Sequence, residues 1–185
     1  MKAKFSAVGP SLLALSALSF SGSSFADASF SFTTEPSTSQ STHIVLLEST
    51  DNLPGILATL DQSTNGKVSK LLKLNDFSSE KGNTLHLQMV GDLESLLLVG
   101  TQDTDGLLDG PDLQNLGGKI AAALNSTNKD VNATVHLDGI GATVETPSAH
   151  LAYGYQLRDY SFDRYLSKKS EGVSAITLVS QDAKA

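Results

Sequence analysis

Cysteine and tryptophan are both absent from this 185-residue chain. Without cysteine there is no disulfide framework, no thiolate nucleophile, no lipoprotein attachment site and no thiolate zinc centre, so apolar packing has to hold the fold. Positive charge is scarce: 13 Lys and Arg stand against 20 Asp and Glu, for a net charge of −7, and the basic residues cluster only at Lys168-Lys169. That balance excludes a phosphate-backbone partner, whose affinity rests on grouped Lys and Arg, so no nucleic acid is expected. Long apolar runs are missing too. The stretch from Ala7 to Phe20 is uncharged but interrupted by Gly9, Pro10 and serines, and it falls short of the ~20 residues that span a bilayer.

What is present at the start reads as a targeting segment. Lys2 and Lys4 precede the apolar stretch, and Ser24-Phe25-Ala26 places small residues at the two positions a signal peptidase reads. Residues 1–26 are therefore expected to be a cleaved signal peptide, which implies a periplasmic or secreted protein with no membrane attachment after cleavage. Cleavage removes two lysines and no acid, leaving 11 basic against 20 acidic residues, a net charge of −9. Residues 27–185 amount to one domain.

Residues 27–42 are rich in Ser and Thr and read as a flexible lead, with Phe30 and Phe32 alternating as a short edge strand. The run His43 to Glu48 is apolar throughout after its histidine, the pattern of a strand covered on both faces. Asp51 and Asn52 are placed to cap a helix starting at Leu53-Pro54, with Ile56, Leu57 and Leu60 as its buried stripe. Asn65-Gly66 ends it, and a second short helix carries Val68, Leu71, Leu72 and Leu74. Leu85, Leu87 and Met89 then alternate with Thr84, His86 and Gln88, a half-covered strand. Leu96 to Gly100 is a buried strand, and Pro111 to Leu124 is a helix capped by Asp109 or Gly110. Val131 to Leu137 alternates as a strand, Glu145 to Leu166 is mostly helical, and Gly172 to Ser180 is a final strand. Strands interleaved with helices predict an α/β domain with a mixed, largely parallel sheet.

Chemistry-bearing patterns are sparse. His43, His86, His136 and His150 have no ligand spacing, and His86 and His136 fall on the polar sides of alternating strands, where solvent-exposed histidines are expected rather than metal ligands. The acidic segment from Thr101 matches a calcium loop in part, through Asp103, Asp105, Gly106, Asp109 and Asp112. Thr101 stands where Asp is required, Asp112 where a bidentate Glu is required, and a strand precedes the segment. The competing reading is a strand-to-helix turn whose aspartates favour a helix N-terminus. No nucleophile elbow occurs, and Gly100 to Gly106 and Gly139-Ile140-Gly141 lack the rest of a phosphate-binding pattern. No catalytic, cofactor-binding or metal-ligating residue is nominated.

One ordered set of residues is more specific. Gly66 to Leu72, Asp76-Phe77, Lys81 to Leu85, Leu96 to Gly100 and Leu116-Gly117-Gly118-Lys119 are followed by Gly154, Leu157, Tyr160, Phe162 to Tyr165, Ser167-Lys168-Lys169 and the strand Ala175 to Val179. Together they resemble the N-terminal domain of the leucyl aminopeptidase, or cytosol aminopeptidase, family. The resemblance implies a macro-domain-like three-layer α/β module over residues 43–185 that does not carry the peptidase chemistry. In relatives two divalent metals, zinc or manganese, lie in a C-terminal catalytic domain, where they activate water and polarise the scissile carbonyl; full-length relatives are homo-oligomers. None of that domain's motifs, such as Asn-Thr-Asp-Ala-Glu-Gly-Arg, occurs in this sequence. The tail around Leu157, Tyr160 and Arg164 is expected to anchor a helix on the sheet through its aromatics.

The leading expectation is a non-catalytic domain of an exported leucyl-aminopeptidase-type protein, truncated before its catalytic domain, with an assembly or access-limiting role and inactive alone. The alternative is a stand-alone macro-domain-like module that binds a nucleotide-like or peptide ligand near Gly100 to Gly106 and Gly139 to Gly141, beyond the carboxyl ends of the strands. A third possibility is pairing in trans with a separate catalytic subunit.

Overall fold

The computed structural model describes residues 28–35, 42–104, 106–126, 132–138, 140–159 and 175–184. The expected signal peptide and the segment from Tyr160 to Lys169 lie outside these. Six strands form one sheet in the order β1-β6-β5-β2-β4-β3: β1 Ser29–Thr33, β2 Thr42–Leu47, β3 Thr84–Val90, β4 Leu93–Gly100, β5 Asn132–His136 and β6 Ala175–Val179. All neighbours are parallel except β3 and β4, which form an antiparallel hairpin. The α/β expectation holds, and the Phe30 and Phe32 strand is a sheet edge, paired with β6, so the sheet takes in residues of the lead.

Helices cover both faces. On one face α1 (Gly55–Ser63) and α2 (Lys67–Leu74) pack Leu57, Leu60, Val68 and Leu72 on Val45, Leu47, Leu96 and Leu98. On the other, α3 (Gly110–Asn125) and α4 (Pro147–Asp159) lay Leu113, Leu116, Ile120, Leu151 and Tyr155 over Ile44, Leu46, Leu97, Val135 and Leu178. β2 contributes alternate residues to both cores and is buried along its whole length, as a strand covered on both faces must be.

The α3–α4 contact is set by glycine. A Cβ at Gly154 would overlap the carbonyl oxygen of Gln114, and one at Gly117 would overlap the carbonyl oxygen of Leu151, so the two backbones touch where only hydrogen fits. Asp109 caps α3 in a reciprocal box with Asp112: Asp112 N donates to Asp109 Oδ1 at 2.8 Å and Asp109 N to Asp112 Oδ2 at 3.3 Å. α4 is capped from far away in sequence, since Asp182 Oδ2 accepts from Ser148 N at 3.2 Å and Ser148 Oγ at 2.7 Å. Asp61 does the same for α2, accepting from Ser69 N at 2.9 Å and Ser69 Oγ at 2.7 Å, which holds its carboxyl below the usual range.

Several local expectations are corrected. α1 starts after Pro54 and takes no side-chain cap from Asp51 or Asn52. Leu74 points outward at the last residue of α2, 79% exposed. Met89 takes a left-handed backbone (φ 55°), so the alternation of β3 breaks there: Met89 is exposed and Val90 turns into the core before the two-residue Gly91-Asp92 turn. Leu157 is 59% exposed, and the aromatics expected to anchor that tail, Tyr160 and Phe162, lie outside the described residues.

The largest correction concerns histidine. β5 is buried from Ala133 to His136 instead of alternating, and His136 meets His43 of the neighbouring strand. His43 Nδ1 and His136 Nε2 are 3.0 Å apart, the rings stack at 5.3 Å, and each residue is 1% exposed. One nitrogen of that bond must present a lone pair, so the pair cannot be doubly protonated and intact. Burial, with the His43 charge adding to it, pushes His136 down to about 4 from 6.5.

Two predictions follow from these contacts. Gly154→Ala places a methyl against backbone on α3 and should cost about 3 kcal/mol, read as a lowered urea midpoint; an unchanged midpoint would show that the helices separate freely. For the histidines, the unfolded chain binds more protons than the folded one between pH 6.5 and about 4, so stability is complete above that window and falls as pH drops through it. Urea unfolding at pH 7.5 and pH 5 should differ by about 2 kcal/mol, a difference that His136→Gln shrinks. Equal pH sensitivity in the two proteins would contradict the assignment.

Candidate functional site

Parallel α/β sheets open a crevice where adjacent strands send their following connections to opposite faces. Here that point lies between β2 and β4. β2 leads into α1 on one face, and β4 leads into α3 on the other. A cavity of ≈ 500 Å³ sits beyond their carboxyl ends, lined by Glu48, Ser49, Asn52, Pro54, Gln102 and Asp103. The expected site thus receives residues from the segment after Gly100. Gly141 is not part of it: its carbonyl accepts from Leu108 N at 3.0 Å in a short backbone pairing of Leu108 with Ala142. Gly139 lies outside the described residues.

The chemistry of the lining is polar and acidic. Glu48, with amide and hydroxyl groups around it, suits an ammonium or a hydroxyl-bearing ligand, while Asp103 is already paired with Lys81. Neighbouring the crevice, Lys81 Nζ binds Asp103 Oδ2 and also Asp112 Oδ1 at 2.7 Å. The two carboxylates push the Lys81 ammonium upward, and Lys81 in turn holds the Asp112 carboxyl below the usual range. Asp103, Asp109 and Asp112, three residues of the partial calcium pattern, are therefore occupied by an ion cluster and a helix cap, with Asp105 outside the described residues. The turn-and-cap reading accounts for them.

The remaining histidines stand apart. His86 pairs with Ser95 Oγ across the hairpin at 2.7 Å, and His150 Nδ1 lies 3.3 Å from Gln114 Nε2. Among the described residues no three His, Cys, Asp or Glu side chains gather as a metal site.

Residues of the ordered sequence set instead recur at points of close packing. Gly100 lies against the backbone of Ser79 and Glu80, Gly117 and Gly154 form the helix crossing, and Gly82 sits beneath the Lys119 side chain, whose Nζ donates to Gly82 O at 3.1 Å. Gly82 and Gly100 exchange a further bond, Gly82 N to Gly100 O at 2.9 Å. Sequence reasoning missed the His43–His136 pair and the Asp182 cap because each joins residues distant in the chain; the capping box at Asp109 and Asp112 was within its reach.

The family model described as the cytosol aminopeptidase family, N-terminal domain, matches residues 44–169, about two thirds of the chain. A probable cytosol aminopeptidase of Nitrobacter winogradskyi is 36% identical over 117 residues, covering 62% of this chain and 23% of that protein. One of Xanthobacter autotrophicus is 33% identical over 147 residues, covering 75% and 29%. Among solved structures, a tomato leucine aminopeptidase mutant shares the fold with a TM-score of 0.68 at 20% identity, over 86% of this chain and 34% of that one. The chain spans about a quarter of the length of the curated relatives it matches. By its matched sequence, and with a fold to agree, this chain belongs to the cytosol aminopeptidase family, through that family's N-terminal domain.

Proposed function

We propose that the chain serves as the non-catalytic N-terminal module of an exported leucyl-aminopeptidase-type protein, acting on assembly or on access to a catalytic domain, in cis or in trans. The observation that carries the reading is the match of the N-terminal-domain family model to residues 44–169, joined to the use of the family-like glycines in packing. Peptide hydrolysis with two divalent metals would be supplied by the catalytic domain. The basic n-region and the Ser24-Phe25-Ala26 sequence support export to the periplasm or beyond.

A second reading is a macro-domain-like binding module working by itself, and the ≈ 500 Å³ crevice at the ends of β2 and β4 favours it. Its Glu48 carboxylate suits a peptide with a free amino terminus better than a nucleotide.

Three measurements test these readings. The purified chain, supplied with zinc or manganese, should release no leucine from a leucyl peptide above the buffer rate; metal-dependent release would overturn the non-catalytic role. N-terminal sequencing of the exported protein should begin at Asp27, and retention of Met1 in the cytoplasmic fraction would overturn export. Thermal-shift measurements should separate the second reading from the first: stabilisation by free-amino peptides and not by their acetylated forms supports a binding module, and no shift with either removes it.

A further inference from the structure

β1 ends the sheet, and among the described residues β6 is its single neighbouring strand. Ser180 N donates to Thr33 O at 3.0 Å, so the Thr33 backbone faces β6. Peptide groups alternate in direction along a strand, which turns the N–H and C=O of Ser31 toward β6 as well and sends those of Phe30 and Phe32 to the open edge.

The two edges of the sheet differ in how they are guarded. At β3 the left-handed backbone of Met89 (φ 55°) drops that residue from the pairing between Gln88 and Val90, and Lys67 Nζ donates to Met89 O at 3.3 Å. A bulge and a lysine are two devices that keep natural edges from pairing. β1 has neither. Ser29–Thr33 holds no charge and no proline, none of its residues takes a positive φ, and Phe32 is 47% exposed.

The sequence Ser-Phe-Ser-Phe-Thr is also its own antiparallel complement. Two copies centred on Ser31 set each Phe30 opposite Phe32 of the other, with the rings on the face where Tyr155 meets Phe30 and the hydroxyl side chains on the face where Ser31 meets Thr177. Phe30 and Phe32 are the residues whose peptide groups point outward, so each such pair exchanges both of its N–H···O=C bonds.

We propose that β1 pairs antiparallel with β1 of a second copy of this chain, joining two sheets into one across a two-fold axis at Ser31. Covering the half-exposed Phe32 with Phe30 of the other copy supplies the apolar gain, and an uncharged strand brings no like charges together at the axis. A strand of five residues is only ~17 Å long. The contact is therefore smaller than a standard interface of about 1,600 Å², and the two copies exchange.

The test traps the pair through its register, in a chain that has no cysteine of its own. Across the axis the two Ser31 residues form a non-hydrogen-bonded pair with Cα atoms about 4.5 Å apart, within reach of a disulfide. Ser29 faces Thr33 of the second copy instead of another Ser29. Under a mild oxidant Ser31→Cys should give a disulfide-linked dimer about tenfold faster than Ser29→Cys, since only the first brings like positions together. Adding Phe32→Lys to Ser31→Cys should reduce its rate to that of Ser29→Cys, and sedimentation velocity of the cysteine-free chain should show a concentration-dependent dimer that Phe32→Lys removes. Phe32 is exposed, so that variant retains the fold, and Ser31→Lys gives an independent second reading by sedimentation. Equal cross-linking at Ser29→Cys and Ser31→Cys, as chance collision or a parallel pair would give, would overturn the proposal. So would a cross-linking rate indifferent to Phe32→Lys, or a monomer at every concentration.

Discussion

Backbone touches backbone where α3 crosses α4, and the rest of that side of the molecule depends on the contact. With no Cβ at Gly117 or Gly154, the helices approach closely enough to share one apolar layer over β1, β6, β5 and β2. The same approach seats Tyr155 edge-on against Phe30, with ring centroids 5.5 Å apart, so the edge strand is held by a ring contact as well as by pairing to β6. In a chain without cysteine, such packing is the means available for fixing one helix pair on the sheet.

The opposite face is organised differently. α1 and α2 cover the half of the sheet around β2, β4 and β3 with aliphatic side chains. Toward β5 and β6 the same face becomes polar: Thr134 and His136 are buried on it, and His43 joins them from β2. Buried polar groups add stability only when they are paired, so the histidine pair makes the protonation state of the core a condition of folding.

Much of this was legible in sequence because apolar period and caps are local signals. The unbroken run after His43 announced β2, and Asp109 before Pro111 announced α3. What failed was decided by contacts across the chain. The alternation of Val135 with His136 looked half-exposed, yet both are buried between parallel neighbours, and only register places His136 beside His43. The left-handed backbone at Met89 reversed a side-chain pattern that composition alone had set. The cap that Asp182 supplies to α4 comes from 34 residues away, so no local window contains it. The candidate crevice was anticipated only as far as the segment after Gly100; its walls at Glu48 and Asn52 follow from topology.

The glycines and the Lys81 turn hold together the architecture of this family's N-terminal domain. The central claim is that the Gly117–Gly154 crossing is the constraint on which the α3–α4 side depends. Amide hydrogen exchange of the full chain and its Gly117→Ala variant tests it most directly. The account predicts that α3, α4 and β1 lose protection together while α1 and α2 change far less. Uniform loss across the sheet, or protection unchanged in α3 and α4, would contradict it.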